Sequence, residues 1–396
     1  MLRSWFVKLH RWFGLGAAAF LFIAGLTGAI ISWDHELDAW LNPRFYQAQG
    51  QGPARPALVL AAAVEAAEPR ARVRFMPLEA EPGQTLMMSL EPRLDPATGR
   101  PYELGYNQVA VDPATGDIQA RREWGRASLS RENLLPFLYK LHYSLHLPKA
   151  WGIELGILLM GVLAIFWVFD CFFALWISFP SLASWRRSFA LRWRQGGPRL
   201  VFDLHRSGGV WAWLLLLILA VTSVSMNLNA QVMRPLVSRF SRLTPSPFEL
   251  RAGRPVPSGE PKVSMARAVE LARAEARRRG WPAPPGGVFL SAETGLWGVG
   301  FFPLGRSHGD GGLGNPWLYL DAHGGETIGA DVPGTGTAGD IFLQAMFPLH
   351  SGRILGWPGR LLVSLMGLAV ATLSATGILI WLRRRRAIRR VLQPSS

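Results

Sequence analysis

Four apolar runs of about 20 residues, at 13–33, 153–179, 210–228 and 361–381, constrain this chain more than any other feature. Each is long enough to cross a ~30 Å hydrocarbon core as an α-helix, which satisfies its backbone N–H and C=O groups within the segment. One such run fits a buried helix of a soluble domain. Four of them in 396 residues point to a multi-pass membrane protein.

The charge follows the same plan. Arg3, Lys8 and Arg11 precede the first run. Arg186, Arg187, Arg192, Arg194, Arg199 and Arg206, against Asp203 alone, separate the second from the third. Arg383, Arg384, Arg385, Arg386, Arg389 and Arg390 follow the fourth. Of 42 basic and 27 acidic residues these segments take 15 and 1, leaving a nearly neutral 27 and 26 elsewhere. The positive-inside rule puts the basic segments and both termini in the cytoplasm and the two long loops outside. The excess of arginine thus reads as membrane orientation, and no nucleic-acid partner is expected. The first run exceeds the 7–15 residues of a signal h-region and lacks an A-x-A site, so it reads as an uncleaved anchor. Cys171 is the single cysteine, which excludes an intramolecular disulfide and any CxxCH haem attachment.

These limits divide the chain into 1–34 (N-terminal segment and first span), 35–150 (first outer domain), 151–179 (second span) and 180–208 (basic loop). Then come 209–228 (third span), 229–358 (second outer domain), 359–382 (fourth span) and 383–396 (basic tail). The halves echo each other. Leu9-His10-Arg11 opens the first span and Leu204-His205-Arg206 the third; Leu141-His142-Tyr143-Ser144 precedes the second and Leu349-His350-Ser351-Gly352 the fourth. Val111-Asp112-Pro113-Ala114-Thr115-Gly116-Asp117 matches Leu320-Asp321-Ala322-His323-Gly324-Gly325-Glu326 as a strand–turn–strand signal. Each loop also predicts a helix (57–68 and 264–279) followed by short strands at 73–77, 85–90 and 108–111, then at 288–290, 296–302 and 317–320. The predicted fold is an α-helical membrane protein with four transmembrane helices, two small α+β outer domains, and an internal duplication of helix–domain–helix in one orientation.

Five of the eight histidines stand at the ends of the spans: His10 and His205 on one face, His142, His146 and His350 on the other. Imidazole is the commonest protein ligand for metals and serves haem iron, so ligands at both faces suggest electrons crossing a bilayer. An interfacial histidine can also be a plain anchor, but Trp, Tyr, Lys or Arg would anchor equally well. Gly14 and Gly16 after His10, and Gly208 and Gly209 after His205, allow close approach of a porphyrin or simply of another helix. Arg11, Arg206 and Arg353 stand beside the candidate ligands as partners for propionates. His10 and His205 are expected at an inner haem, as axial pair or neighbours; His350, with His142 or His146, at an outer one. Without CxxCH, any haem is non-covalent and b-type.

On a helix, His142 and His146 share a face, which leaves one spare imidazole to meet substrate, relay a proton or exchange as ligand. Zinc is a competing occupant, but Tyr143 stands where H-E-x-x-H has its Glu. Asp170 and Glu154 fall in the second span, where carboxylates are functional candidates; Asp170 would carry a proton or pair with an inner-surface Arg. Arg306, His308 and Asp310 sit in a glycine-rich loop that reads as a substrate lip or as a plain hairpin insertion. Residues 180–198, with Trp185 and Trp193 among arginines, read as a segment lying on the inner membrane surface. No Walker A or GxGxxG follows a strand, so electrons would come from a membrane quinol or a separate cytoplasmic reductase.

The Leu-His-Arg segments, the Val-Asp-Pro-Ala-Thr-Gly-Asp hairpin and Phe347-Pro348-Leu349-His350-Ser351-Gly352 together resemble the PepSY-associated transmembrane family over most of the chain. The resemblance implies PepSY-like outer domains, a bacterial inner membrane and a periplasmic location for the loops. It also implies two tightly bound haems and the reduction of ferric siderophores in iron uptake, an oxidoreductase activity. The partners would then be a ferric siderophore, membrane lipid and the electron donor. Two other readings stand beside it. One is a non-catalytic membrane protein whose outer domains bind peptides or restrain a protease. The other is a permease for the iron chelate, against which the few intramembrane polar groups count.

Overall fold

The structure, a computed structural model, describes residues 2–253 and 260–392. Residue 1, residues 254–259 of the expected second outer domain and the last four residues of the basic tail lie outside the described residues.

All four apolar runs are helices: Leu2–Ile31, Leu155–Ser178, Gly197–Asn227 and Trp357–Leu392. Each is long and apolar enough to cross a membrane, and the chain is a multi-pass membrane protein. The first and third begin well before their apolar runs, so His10 and His205 lie inside helices instead of ahead of them. Lys and Arg are good helix formers with stems that lie along apolar surface, so the basic segments extend the helices. Pro198 stands in the first turn of the third helix, where its missing N–H costs nothing.

Small residues bring the first and fourth helices together. A Cβ on Gly25 would lie 2.6 Å from the Gly367 carbonyl oxygen, so only glycine permits this crossing. Trp33 Nε1 donates to Ser364 Oγ (2.9 Å) and Arg360 Nε to the Ser32 carbonyl (2.8 Å). Between the second and third, Trp213 Nε1 donates to the Cys171 carbonyl at 2.9 Å. The middle of the bundle is apolar, with Cys171, Leu216, Ala220, Met366 and Val370 buried and Leu21, Trp167 and Trp213 packed on them.

The strands of the two long loops differ from the expectation of two separate small domains. In the first loop β1 (Ala71–Pro77), β2 (Leu86–Pro92), β3 (Gln108–Val111) and β4 (Ile118–Arg122) form a meander. In the second, β5 (Pro285–Ser291), β6 (Leu296–Phe301), β7 (Trp317–Asp321) and β8 (Thr327–Asp331) repeat it. All eight join one antiparallel sheet in the order β8-β7-β6-β5-β1-β2-β3-β4. Its centre is the β1–β5 pairing, Phe75 opposite Phe289 and Met76 opposite Val288. Two separate sheets would each expose an unpaired edge there, and pairing removes both edges. The sheet belongs to one compact unit, His35–Phe137 with Ser241–Gln344. The stretches 138–150, 229–240 and 345–358, expected in the outer domains, group instead with the long helices.

Helices Ala57–Ala67 and Met265–Arg278 cover the sheet as expected, the second capped by Ser264 Oγ accepting from the Arg267 N–H. Leu60 and Val64 meet Val73, Met88 and Val109 in one core, continuous with Ala268, Ala272, Val299 and Leu318. The two hairpin turns are built alike. Asp112 Oδ1 accepts from the N–H groups of Ala114 and Thr115, and Asp321 Oδ1 from those of His323 and Gly324. Gly116 (φ 85°) and Gly325 (φ 81°) supply the left-handed residue each turn needs. Burial works against both charges, but backbone N–H groups, with Arg251 added at Asp321, hold both carboxyls below the usual carboxylate range.

Candidate functional site

The four helices bring four of the histidines together as two facing pairs. The rings of His10 and His205 have centres 5.9 Å apart, tilted by 50°. Those of His142 and His350 have centres 6.2 Å apart, tilted by 52°. His142 comes from helix Leu134–Ser144 and His350 from Ala338–His350, each leading into the long helix that follows.

Each ring is fixed through Nδ1, and each of the four long helices supplies one anchor. His10 Nδ1 meets both carboxylate oxygens of Asp170, at 2.9 and 3.0 Å. His205 Nδ1 meets the Leu373 carbonyl (3.0 Å) and Thr376 Oγ1 (3.2 Å). His142 Nδ1 meets the Ala24 carbonyl (3.0 Å) and Thr27 Oγ1 (3.2 Å), and His350 Nδ1 meets Thr222 Oγ1 (3.0 Å). An acceptor on Nδ1 fixes the tautomer with its proton there, which leaves Nε2 with its lone pair for a metal. Glycines make room for two of the rings. A Cβ on Gly28 would lie 2.9 Å from His142 Cε1, and one on Gly377 would lie 3.1 Å from His205 Cε1.

The spacing separates the two pairs. Thr27 lies 17 residues after His10 and Thr222 lies 17 after His205. At 1.5 Å per residue that puts the two levels about 25 Å apart along the helices.

A resident group can be tested against this geometry. Two imidazoles bound through Nε2 on opposite sides of one metal ion have ring centres about 6.3 Å apart, from metal–nitrogen bonds of about 2.0 Å. Both pairs match. Among the described residues no group of three or more His, Cys, Asp or Glu converges to hold a metal. Among the described residues a bare ion at either pair would thus have two protein ligands, whereas haem would bring its own nitrogen donors. The first pair also lines a cavity of about 440 Å³, within the usual range for cofactor sites. Arg3, Arg11, Arg206 and Arg384 line it too. The Nε atoms of Arg11 and Arg206, the residues after the two histidines, are buried without a hydrogen-bond partner. Arg206 also donates from Nη2 to the Arg187 carbonyl and lies 3.8 Å from Asp203, so the unmet donors are the two Nε groups, which suit an anionic group of a ligand. At the His10–His205 pair the residues present fit haem; at the His142–His350 pair the ring spacing and Nδ1 anchors fit it.

Several sequence expectations change. His146 does not share a helix face with His142, because that helix ends at Ser144 and Leu145 and His146 both take φ of 53°. Pro148 follows closely, and the residue before a proline avoids the α conformation. Asp170 pairs with His10, and among the described residues no arginine pairs with it. Glu154 is half exposed at the start of its helix, 3.7 Å from Lys149. Arg353 lies in the short turn Arg353–Leu355 after His350. Arg306, His308 and Asp310 lie in the sheet unit, on the loop between β6 and β7, where Asn315 Nδ2 donates to the carbonyls of Arg306 and Ser307. Residues 180–198 form two short 3₁₀ turns, Leu182–Ser188 and Trp193–Gln195, with Trp193 exposed.

Sequence reading missed Thr27, Thr222, Thr376, Gly28 and Gly377. The signal was available as a Thr-Gly pair at 27–28 and at 376–377, and as the equal His-to-Thr spacing in the two halves.

A family model described as the PepSY-associated TM region matches residues 7–384, and the chain belongs to that family. A comparison with curated proteins finds no match.

Proposed function

We propose that this chain is a bacterial inner-membrane haem b reductase that carries electrons across the membrane and reduces Fe(III) in a ferric siderophore. The observation that carries this reading is a pair of facing, Nδ1-anchored imidazoles at each end of one helix bundle. When bound at each pair, haem supplies a centre that takes up and passes on one electron at a time. His10 and His205 would hold it at the arginine-rich, cytoplasmic end, with Arg11 and Arg206 facing its propionates. His142 and His350 would hold it at the periplasmic end. Thr27, Thr222, Thr376 and Asp170 orient the rings, and the apolar core around Leu216, Met366 and Val370 keeps water from between the two levels. Two levels about 25 Å apart serve both faces of a ~30 Å core, which a single site cannot.

Electrons would enter from a membrane quinol or a cytoplasmic reductase. At the outer end one electron converts Fe(III) in the chelate to Fe(II), which hard oxygen donors hold far less tightly, so the metal leaves the siderophore in the periplasm. The matched His, Thr and hairpin positions support an origin by duplication of a helix–PepSY-like domain–helix unit.

The test is reconstitution in vesicles with a reduced quinol pool, a ferric siderophore outside and a ferrous-specific trap. Fe(II) should form with the intact chain and fall to background with His10→Ala or His350→Ala. Equal rates in all three overturn the proposal.

A further inference from the structure

Three of the four imidazoles rest on neutral acceptors, and one does not. His142, His205 and His350 donate to threonine hydroxyls, two of them also to a backbone carbonyl. His10 instead donates to the Asp170 carboxylate, bound through both oxygens. The matching acceptor on the other side of the same site is Thr376. Asp170 is 8% exposed about two turns before the C-terminal end of a membrane-spanning helix, and among the described residues its hydrogen-bonding partner is His10. A carboxylate there is costly, and a threonine would have oriented the ring as well.

We propose that Asp170 is a positioning residue that lowers the reduction potential of the His10–His205 site and leaves that of the His142–His350 site unchanged. The inference rests on the haem reading above. Ferric iron carries one more positive charge than ferrous, and a nearby carboxylate in a low-dielectric interior favours the more positive state. By accepting the Nδ1 proton the carboxylate also raises the donor strength of His10, which acts in the same direction. The threonine and carbonyl acceptors at the other three rings carry no net charge. The carboxylate thus favours onward transfer, to the second site, of an electron delivered to the first by a quinol or cytoplasmic reductase. In that step the first centre is oxidised by one electron and the second is reduced by one. No bond is made or broken. Arg11 and Arg206 line the same cavity with the opposite sign, and changes at 170 leave them in place.

The experiment is a potentiometric titration, followed by the visible spectrum, of the purified full-length haem-loaded protein and its Asp170→Asn and Asp170→Thr variants. His205→Ala, which removes the first centre, identifies the midpoint of the second. Both Asp170 variants should keep two haems per chain. The first midpoint should rise by at least about 59 mV, a tenfold change in a one-electron equilibrium, and the second should stay put. Two unmoved midpoints overturn the inference. So does loss of the first haem in both variants, which would make Asp170 a structural clamp. A wild-type protein that takes up no haem overturns the underlying haem reading as well; two haems with unmoved midpoints overturn this inference alone.

Discussion

Replacing Thr222 with Val should damage its histidine site more than the same change at Thr27 or Thr376. His350 Nδ1 has Thr222 Oγ1, at 3.0 Å, as its acceptor. His142 and His205 each keep a backbone carbonyl at 3.0 Å, from Ala24 and Leu373, when their threonines are removed. Valine retains the β-branched shape, so the helix is little disturbed. Loss of a second-sphere partner typically costs 10–100-fold in affinity, or about 1.4–2.8 kcal/mol. An unpartnered buried N–H costs about 1–3 kcal/mol, the same size by an independent route. Where the carbonyl remains, the loss should be about twofold, within the net worth of one shared hydrogen bond. The assay is haem transfer from purified protein to an excess of a haem-scavenging apoprotein. Thr222→Val should release one of its two haems at least about tenfold faster than wild type, with Thr27→Val and Thr376→Val close to wild type. Three indistinguishable release rates would refute the inequality drawn from the acceptor geometry.

Valine at Gly28 or Gly377 would push its side chain into the ring of His142 or His205, so each variant should fall from two haems to one; unchanged content would contradict the ring seats. In the sheet unit, Asp38 accepts from Arg122 Nη1 (2.6 Å), Tyr46 Oη (2.7 Å) and Asn42 Nδ2 (2.7 Å), all buried. Arg122→Ala strands that carboxylate and should destabilise the unit by about 3–5 kcal/mol in denaturant unfolding; a loss below about 1 kcal/mol would show the charge is not held there. Asp112 and Asp321 have depressed folded-state pKa values, so their contribution is complete above the ordinary unfolded value of about 3.9 and is lost as pH falls through the lower folded values. Unfolding of the sheet unit should therefore become easier below about pH 4, with a shallower pH dependence in Asp321→Asn; identical slopes would refute the sign.

The membrane helices were legible because about 20 apolar residues leave few alternatives to a spanning helix, and the hairpins because Asp and Gly must occupy fixed turn positions. The single sheet was not. The β1–β5 pairing joins strands more than 200 residues apart, and neither strand's local pattern names its partner. The histidines were legible as candidates, but the choice of His142 over His146 depended on where one helix stops. Pro148 excludes only Leu147 from that helix, so the sequence left His146 open. Asp170 drew notice as a buried intramembrane carboxylate, yet its partner is set by which helices are neighbours, and hydropathy does not encode that. The threonine anchors went unread because a threonine within an apolar run ordinarily bonds its own helix, as Thr27 also does to the Ile23 carbonyl.

The most direct test of the central claim is the haem content and spectrum of the purified chain made with ample haem. The expected result is two b-type haems per chain with low-spin, bis-histidine bands, falling to one in His142→Ala and staying at two in His146→Ala. A colourless protein, or loss on changing His146 in place of His142, would contradict it.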